Sequence, residues 1–449
     1  MTRALDVGAA AVGFARTRWG RRWPNRGALL AWQERRLRRF LRDRLPQAPF
    51  YGRPAWHLAE LPIVDKRTLV TRFDDLNTRG IRRADAMAAA LAAERSRDFR
   101  PEIGDLTVGL SSGTSGERGL FLVSRRERMI WAAVMLARTL TRESLARLAS
   151  PWRPPLSVAF FLRANSNLYS TLGSRRLTFV FCDLLQPLER HVTALTTRPP
   201  HVLVAPATVL RRLAEISLGG DLPIRPRQVI SVAETLELED AALIERAFGR
   251  PVQQIYQATE GFLGATCPAG RLHLNEECVH VEPEWLDPGH RRFHPIVTDF
   301  TRETQLIVRY RLDDVLRVAD APCSCGRVSL ALAAVDGRRD SVLYLPARGT
   351  GTPHPIFPDL MRRAMTIGGE HVRDYRIVQT DAGLVVRLAA SDPGASAAIR
   401  AELLALFAEQ RVIAPSMTFA PWQDDAPGGK CCRIRRTTSA ATSVPEAIA

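Results

Sequence analysis

Between residues 104 and 340, short β-branched or aliphatic runs at 158–162, 178–181, 201–205, 228–232 and 252–256 alternate with stretches of helical periodicity. Strands kept apart by helix-length segments cannot pair as tight hairpins. They join as parallel neighbours through crossover helices, so the alternation predicts an α/β domain built on largely parallel sheets. Residues 306–311 and 315–318 stand too close together for a crossover and predict a small antiparallel unit. Further on, 375–379 and 384–388 are strand-like around Asp381-Ala382-Gly383, and 396–409 has helical spacing, which predicts a separate α+β module. The joint is placed at Asp336-Gly337-Arg338-Arg339-Asp340. This gives a large domain of residues 1–338 and a smaller one of 339–436, with 437–449, small and polar, expected as a disordered tail.

A chain of 449 residues exceeds the usual domain of about 100–150 several times over, consistent with that division. Hydrophobic residues at 46% and charged residues at 24% supply packed cores and exclude overall disorder. Seven cysteines, odd in number and scattered, suit thiols or a metal in a reducing compartment and place the protein in the cytoplasm. The longest apolar runs, 7–15 and 86–93, fall short of the roughly 20 residues that span a bilayer. The first resembles a weak signal-peptide core behind Arg3, but Asp6 and the arginines at its exit disfavour export.

The net charge of +16 is concentrated rather than spread. Residues 16–44 hold eleven arginines against Glu34 and Asp43. Leu30, Leu37, Phe40, Leu41 and Leu45 recur there at helical spacing, predicting an amphipathic helix with an arginine-rich outer face. A solvated face is the default reading, with docking to an acidic partner or anionic lipid as the alternative. No zinc-finger spacing, helix-turn-helix signal or interleaved aromatic pattern supports nucleic acid.

Of 63 basic residues only Lys66 and Lys430 are lysines. A compact ammonium reaches a phosphate or carboxylate where a planar guanidinium does not fit, so an isolated lysine invites a chemical role. The segment Gly109-Leu110-Ser111-Ser112-Gly113-Thr114-Ser115-Gly116-Glu117-Arg118-Gly119 offers glycines, backbone amides and hydroxyls that can wrap phosphate oxygens. It lacks the Gly-Lys-Ser/Thr ending of the nucleotide P-loop, and taken alone it reads equally as a plain turn. Cys267 and His273, followed by Cys323-Ser324-Cys325, provide three thiolates and one imidazole, the ligand set of a closed tetrahedral zinc site. Idle thiols are the competing reading. Cys278 and His280 are reserve ligands, Cys182 is expected in the core, and Cys431-Cys432 is expected to be incidental.

Four further segments follow the loop in order: Tyr256-Gln257-Ala258-Thr259-Glu260-Gly261, Arg309-Tyr310-Arg311-Leu312-Asp313-Asp314, Gly337-Arg338-Arg339-Asp340 and Gly428-Gly429-Lys430-Cys431-Cys432-Arg433. Together the five resemble the acyl-adenylate-forming superfamily, specifically its phenylacetate-CoA ligase branch and the related deazaflavin-coenzyme adenylating synthetases. The resemblance implies a large adenylation domain and a mobile smaller domain that share one active site. It assigns the loop Ser111, Ser112, Gly113, Thr114, Ser115 and Gly116 to the β- and γ-phosphates of ATP, Thr259 to the α-phosphate and Glu260 to Mg²⁺. The adenine slot falls to Ala233, Glu234, Tyr256, Gln257 and Ala258, the ribose to Asp314 with help from Arg338, and the hinge to Asp340. Lys430 would bridge the α-phosphate and the substrate carboxylate. The cysteine pattern looks similar to that of several members of the branch. Lys66, in a Leu-Pro…Lys segment, is given a packing or ion-pair role.

The chain departs from the family at Glu117-Arg118, where Lys-Pro is frequent, and at Leu312-Asp313, where Thr-Gly is usual. The run of residues 160–169 fits an acid-pocket wall or a buried strand with its turn. The expected activity is ATP- and Mg²⁺-dependent conversion of a small carboxylic acid to acyl-AMP, with transfer to a thiol such as coenzyme A. Transfer to an amine, a hydroxyl or a carrier-protein thiol is the enzymatic alternative. A basic nucleic-acid or membrane-binding protein on a decayed fold is the alternative of another class. A homodimer is left open.

Overall fold

The computed structural model describes residues 2–20, 23–96, 102–110, 119–162, 175–369, 372–390, 392, 394–423 and 432–437. The chain forms two compact units. The first contains Met1–Glu282, Ile296–Leu312 and Val318–Ala333, and the second Pro283–Pro295, Asp313–Arg317 and Ala334–Ala449.

In the first unit the strands Leu177–Asp183, Leu156–Leu162, Val202–Ala205, Gln228–Val232 and Val252–Ala258 lie side by side in that order, all parallel. Each expected apolar run is one of these strands. Their residues alternate between two cores. Val158, Phe160, Val204 and Ile230 face one side. Ala159, Phe161, Leu203 and Val229 face the other, against Leu210, Leu213, Ile244 and Phe248 of the helices Ala207–Leu218 and Leu238–Phe248. Burial on both faces is why Val202–Ala205 and residues 158–161 are wholly apolar, whereas Leu177–Asp183 at the sheet edge keeps exposed positions and Val252–Ala258 carries Gln253, Gln254 and Gln257. Phe160 and Phe161 are therefore core, in agreement with the buried-strand reading of their segment. Beyond Val252–Ala258 the sheet turns antiparallel through Gly261–Thr266 and Leu272–Leu274.

The arginine-rich helix is Arg26–Asp43, started by Asn25, whose side chain accepts from the Ala28 amide at 2.9 Å. Its inner stripe is Leu29, Gln33, Leu37, Phe40 and Leu41, whereas Leu30, expected inside, is exposed. One residue turns a helix by about 100°, so Leu29 and Leu30 cannot both face in, and Gln33 selects the stripe. Its amide donates to the carbonyls of Glu276 and Val279 at 2.8 and 3.1 Å, and Arg26 makes a two-pronged ion pair with Glu276. Lys66 opens the short helix Lys66–Thr71, capped by Asp65.

Arg138 and Glu277 form an ion pair with both side chains buried. Removing the charge of one leaves the other unpaired in apolar surroundings, so Glu277→Gln should destabilise the first unit by about 3–5 kcal/mol in urea denaturation. An unchanged midpoint would show that the pair contributes nothing.

The second unit contains a four-stranded sheet in the order Met417–Pro421, Gly383–Ala390, Val372–Thr380, Ile434–Arg436, together with the hairpin Leu343–Pro346/Pro353–Ile356. The helices Pro358–Gly368 and Ala395–Glu409 close its core over Leu343, Met361, Ile377, Val386, Leu403 and Phe407. The α+β expectation holds for this part of the chain. Buried Asp336 lies 3.2 Å from both Arg292 and Arg317, and its carbonyl accepts from Arg362 at 2.6 Å. The two strands expected at 306–311 and 315–318 are present and both pair antiparallel, Ile307–Arg311 with residues 296–299 in the first unit and Asp314–Val318 with residues 292–293 in the second. Two residues, Leu312 and Asp313, separate these strands; their backbone polar groups pair with the strand Arg292–Asp299 rather than with each other. Among the described residues no helix is long and apolar enough to cross a membrane.

Candidate active site and metal centre

Three features meet at the carboxyl ends of the central strands of the first unit, the place where open α/β sheets bind ligands. The first follows Gln228–Val232. The Glu234 amide donates to the Val232 carbonyl at 2.8 Å, closing a turn around Ala233, whose φ is +65°. A γ-turn with positive φ at a residue bearing a Cβ is the rarer, strained form, and such strain persists where surrounding structure enforces it. Thr208 supplies that enforcement, donating from its amide and hydroxyl to the Glu234 carboxylate at 3.0 and 2.7 Å. The carboxylate of Glu234 is thereby engaged, which leaves backbone as what this turn can offer a ligand. The buried Ser231 hydroxyl beside it has no hydrogen-bond partner among the described residues.

The second feature is the tight turn between Val252–Ala258 and Gly261–Thr266. Ala258 faces Gly261 in register, so Thr259 and Glu260 form its tip, with Tyr256, Gln257 and Ala258 on the strand leading in. The Thr259 hydroxyl donates to Glu260 Oε2 at 2.9 Å, and Glu260 is 9% exposed. A largely buried carboxylate at a turn tip fits a hard divalent cation, which binds carboxylate and phosphate oxygens together.

The third feature is the antiparallel pair Leu106–Leu110 and Leu120–Ser124, which forms the two stems of the glycine-serine loop, with Leu110 facing Leu120. At Gly109 a Cβ would lie 1.9 Å from the far edge of the Phe121 ring, so a larger residue there would have to displace that ring. Ser111, Ser112, Gly113, Thr114, Ser115 and Gly116 lie outside the described residues, as do Lys430, Cys431 and residues 163–169.

The segment 299–305, which sequence reasoning passed over, binds these features together. The Arg302 guanidinium donates to the Thr259 carbonyl at 2.6 Å and to the Leu122 carbonyl at 3.4 Å, and it stands 3.8 Å from buried Asp299. One side chain thus ties the Thr259-Glu260 tip to the strand leaving the loop. Gln305 adds to this, accepting from the Leu122 amide at 2.9 Å and donating to the Leu120 carbonyl at 3.3 Å. Burial raises the Asp299 carboxyl above its ordinary value against the pull of Arg302. The available signal was Asp299-Phe300-Thr301, an Asx turn in which Asp299 accepts from the Thr301 amide at 2.9 Å and from its hydroxyl at 2.6 Å.

Glu127 anchors the same segment. Its carboxylate accepts from the amides of Glu303 and Thr304 at 2.6 and 3.0 Å, from the Ser124 amide at 2.8 Å and from the Thr304 hydroxyl. Burial alone would raise its pKa, but Arg302 and these hydrogen bonds outweigh burial and hold it below its ordinary value. Stability from a lowered carboxyl is present above the unfolded value, about 4.3, and is lost as pH falls through the folded one. Glu127→Gln should therefore cost about 2–4 kcal/mol at pH 7, with the difference from wild type shrinking below about pH 4. Urea denaturation across pH measures it, and a pH-independent difference would contradict the assignment.

In the second unit Asp314 begins the strand Asp314–Val318, and its carbonyl is 2.8 Å from His294 Nδ1. Arg338 contacts the neighbouring Asp313 at 3.2 Å. Asp340 lies in the single turn Arg339–Ser341, entered through Gly337 at φ +135°, a conformation that favours glycine.

Cys267, His273, Cys323 and Cys325 converge as the sequence suggested, their ligand atoms all within 4.8 Å of one another. Cys267 Sγ and Cys323 Sγ are 3.6 Å apart, and Cys325 Sγ is 3.5 Å from His273 Nε2. A disulfide would need about 2.05 Å, whereas thiolates about 2.3 Å from a tetrahedral zinc stand about 3.8 Å apart. His273 Nδ1 is 3.0 Å from the Ser329 carbonyl, which accepts its proton and leaves Nε2 facing the sulfurs. The Arg327 amide donates to Cys325 Sγ at 3.4 Å, and burial lowers the His273 pKa, which favours the neutral imidazole. These residues fit a zinc ion. The reserve ligands lie elsewhere: His280 Nδ1 is 2.7 Å from the Gln33 side chain, and Cys278 packs against the apolar core. Cys182 is buried, with its thiol pushed up to about 12 by that burial.

No protein-family model matches the chain, and no curated protein matches it in sequence. Solved structures do match. 2-Hydroxyisobutyryl-CoA ligase in the postadenylation state with R3-HIB-AMP superposes with a TM-score of 0.59 at 16% identity, covering 92% of this chain and 89% of that one. The complex with 2-HIB-AMP gives a TM-score of 0.58 at 16% identity, with 92% and 89% covered. The open conformation with 2-HIB-AMP and CoA gives 0.52 at 15% identity, with 92% and 91% covered. With its parallel sheet, its antiparallel turn-back after Glu260 and its α+β unit, this chain shares the fold of these 2-hydroxyisobutyryl-CoA ligase structures.

Proposed function

We propose that this protein is an ATP- and Mg²⁺-dependent ligase that joins a small carboxylic acid to AMP and passes the acyl group to a thiol acceptor, coenzyme A being the first candidate. The observation that carries the reading is the Arg302 clasp, which holds the Thr259-Glu260 tip and the stem of the glycine-serine loop together at the carboxyl ends of parallel strands. Both reactants in adenylation are anions, so the site must supply fixed cations and amide donors where charge develops. In this reading Glu260 holds Mg²⁺, which neutralises phosphate charge when bound, and the hydroxyl of Thr259 faces the α-phosphate. Backbone amides and hydroxyls of Ser111, Ser112, Gly113, Thr114, Ser115 and Gly116 receive the β- and γ-phosphates. The Ala233-Glu234 turn and Tyr256, Gln257 and Ala258 border the adenine, Asp314 and Arg338 serve the ribose, and Asp340 is the pivot. Lys430 neutralises the carboxylate and α-phosphate together. Zinc on Cys267, His273, Cys323 and Cys325 is structural. It pins the far end of the hairpin whose tip is Glu260, a separation of about 20 Å along the strand.

Acid-dependent exchange of radiolabelled pyrophosphate into ATP, across a panel of carboxylic acids, tests the first half. Product analysis with and without coenzyme A tests the acceptor, since transfer to an amine, a hydroxyl or a carrier-protein thiol would leave coenzyme A unused. Exchange that is absent with every acid, alongside nucleic-acid binding of steep salt dependence, would favour the non-enzymatic alternative. Arg302→Gln should raise the concentration of Mg²⁺-ATP needed for half-maximal exchange by about tenfold, because it frees the Thr259 carbonyl from its donor. An unchanged requirement would remove Arg302 from the site.

A further inference from the structure

Beyond Thr2, Arg3 and Asp6 the helix Thr2–Ala15 is built only of apolar residues and glycine, yet the protein covers only one side of it. Its inner side packs on Arg125–Thr139. Helices that are hydrophobic all round are ordinarily buried all round. Here Leu5 and Val12, two helical turns apart, are 62% and 48% exposed, and Trp19, seven residues further on, is 63% exposed. Val7 is 55% exposed, and Trp152, after the neighbouring helix Arg142–Ala149, is 92% exposed. Between these two helices runs a groove of about 340 Å³ whose lining, including Phe14, Trp19, Leu145 and Leu148, is apolar throughout.

Arginines outnumber acids around this face. Arg16 and Arg153 are exposed, and Arg142 and Arg147 lie on the second helix. The acids nearby are engaged: Asp6, largely buried, faces Arg126 at 3.8 Å, and Glu143 pairs with Arg227 at 2.5 Å. Arg18 is spent inward on the carbonyls of Ala137 and Leu140 at 3.1 and 2.9 Å. Apolar side chains bordered by uncompensated arginines, with tryptophan at the edge, match an anionic bilayer surface, where the apolar stripe enters the acyl boundary and the guanidinium groups meet lipid phosphates. A second copy of the same face would bring arginine against arginine on a chain of net charge +16.

We infer that the face formed by Leu5, Val12 and Trp19, with its rim of arginines, docks the protein on anionic phospholipid membranes. The inference stands apart from the ligase reading and survives its failure. The test is co-sedimentation of the full chain with vesicles of phosphatidylcholine alone, or of phosphatidylcholine with about one third phosphatidylglycerol. Binding is expected to the anionic vesicles only, weakening as salt is raised. Val12→Ser with Trp19→Ser should lower that binding about tenfold or more, and Arg16→Glu should lower it on anionic vesicles. All three positions are exposed, so the thermal midpoint should not move; Leu5→Ser serves as an independent second variant. Equal sedimentation of wild type and the Val12→Ser, Trp19→Ser protein would overturn the inference. So would absence of binding to anionic vesicles, or a dimer in ultracentrifugation that the double variant dissociates.

Discussion

Lys430→Ala should lower acid-dependent pyrophosphate exchange by about 10²–10³-fold while leaving transfer from supplied acyl-AMP close to wild type. That magnitude is typical of removing a single charged or hydrogen-bonding group aimed at developing charge. The direction follows from where charge grows. Adenylation brings a carboxylate oxygen onto a phosphorus that already carries negative oxygens, and one ammonium between them lowers the repulsion most at the transition state. Thiol transfer starts from a mixed anhydride in which the carboxylate charge is gone, so the same ammonium has less to do. Lys430→Arg is the informative companion: if charge alone mattered, arginine would restore exchange, but a planar guanidinium does not replace a point charge in a narrow site. Equal loss in both half-reactions for Lys430→Ala would refute the assignment. The composition sharpens the expectation, because 61 of the 63 basic residues are arginine and a lysine stands at this position.

Loss of the Cys267, His273, Cys323 and Cys325 centre should have the largest effect on stability. Metal analysis of protein purified without added metal should find one zinc per chain. Cys325→Ser should remove it and destabilise the first unit by about 4–5 kcal/mol or more, since binding energy at a structural zinc is folding energy. Three thiolates and an imidazole drawn together without a cation would lose both the charge balance and the cross-link that joins the strands bearing Cys267 and His273 to the segment bearing Cys323 and Cys325. Strong chelators should reproduce the effect in wild type and add nothing in Cys325→Ser. Wild type free of zinc and equally stable would refute the site and return the four residues to idle thiols and a buried histidine.

The parallel strands and the ligand set of the metal centre were legible in the sequence for the same reason. Each is written in residue type within short segments: β-branched runs between helices in one case, and in the other Cys267 with His273 and, fifty or more positions on, Cys323-Ser324-Cys325. Leu30 shows the limit of that reading. Its helical spacing was right and its face wrong, because the inward stripe was chosen by Gln33 reaching the carbonyls of Glu276 and Val279, residues some 240 positions away. For Ile307–Arg311 and Asp314–Val318 the antiparallel character was legible, but the partner strand Arg292–Asp299 was not.

By itself the amino-acid order determined the α/β class of the long amino-terminal part, the α+β character of the remainder, the four converging zinc-type ligands and an isolated lysine among arginines. Only the tertiary structure disclosed Arg302 between Thr259 and Leu122, Glu127 holding residues 303 and 304, the strained turn at Ala233 and an apolar helix left bare on its outer side. The division follows from range. Periodicity and spacing act between neighbours along the chain, whereas a guanidinium finds its carbonyls, and an apolar face its cover, only after distant segments have been packed together.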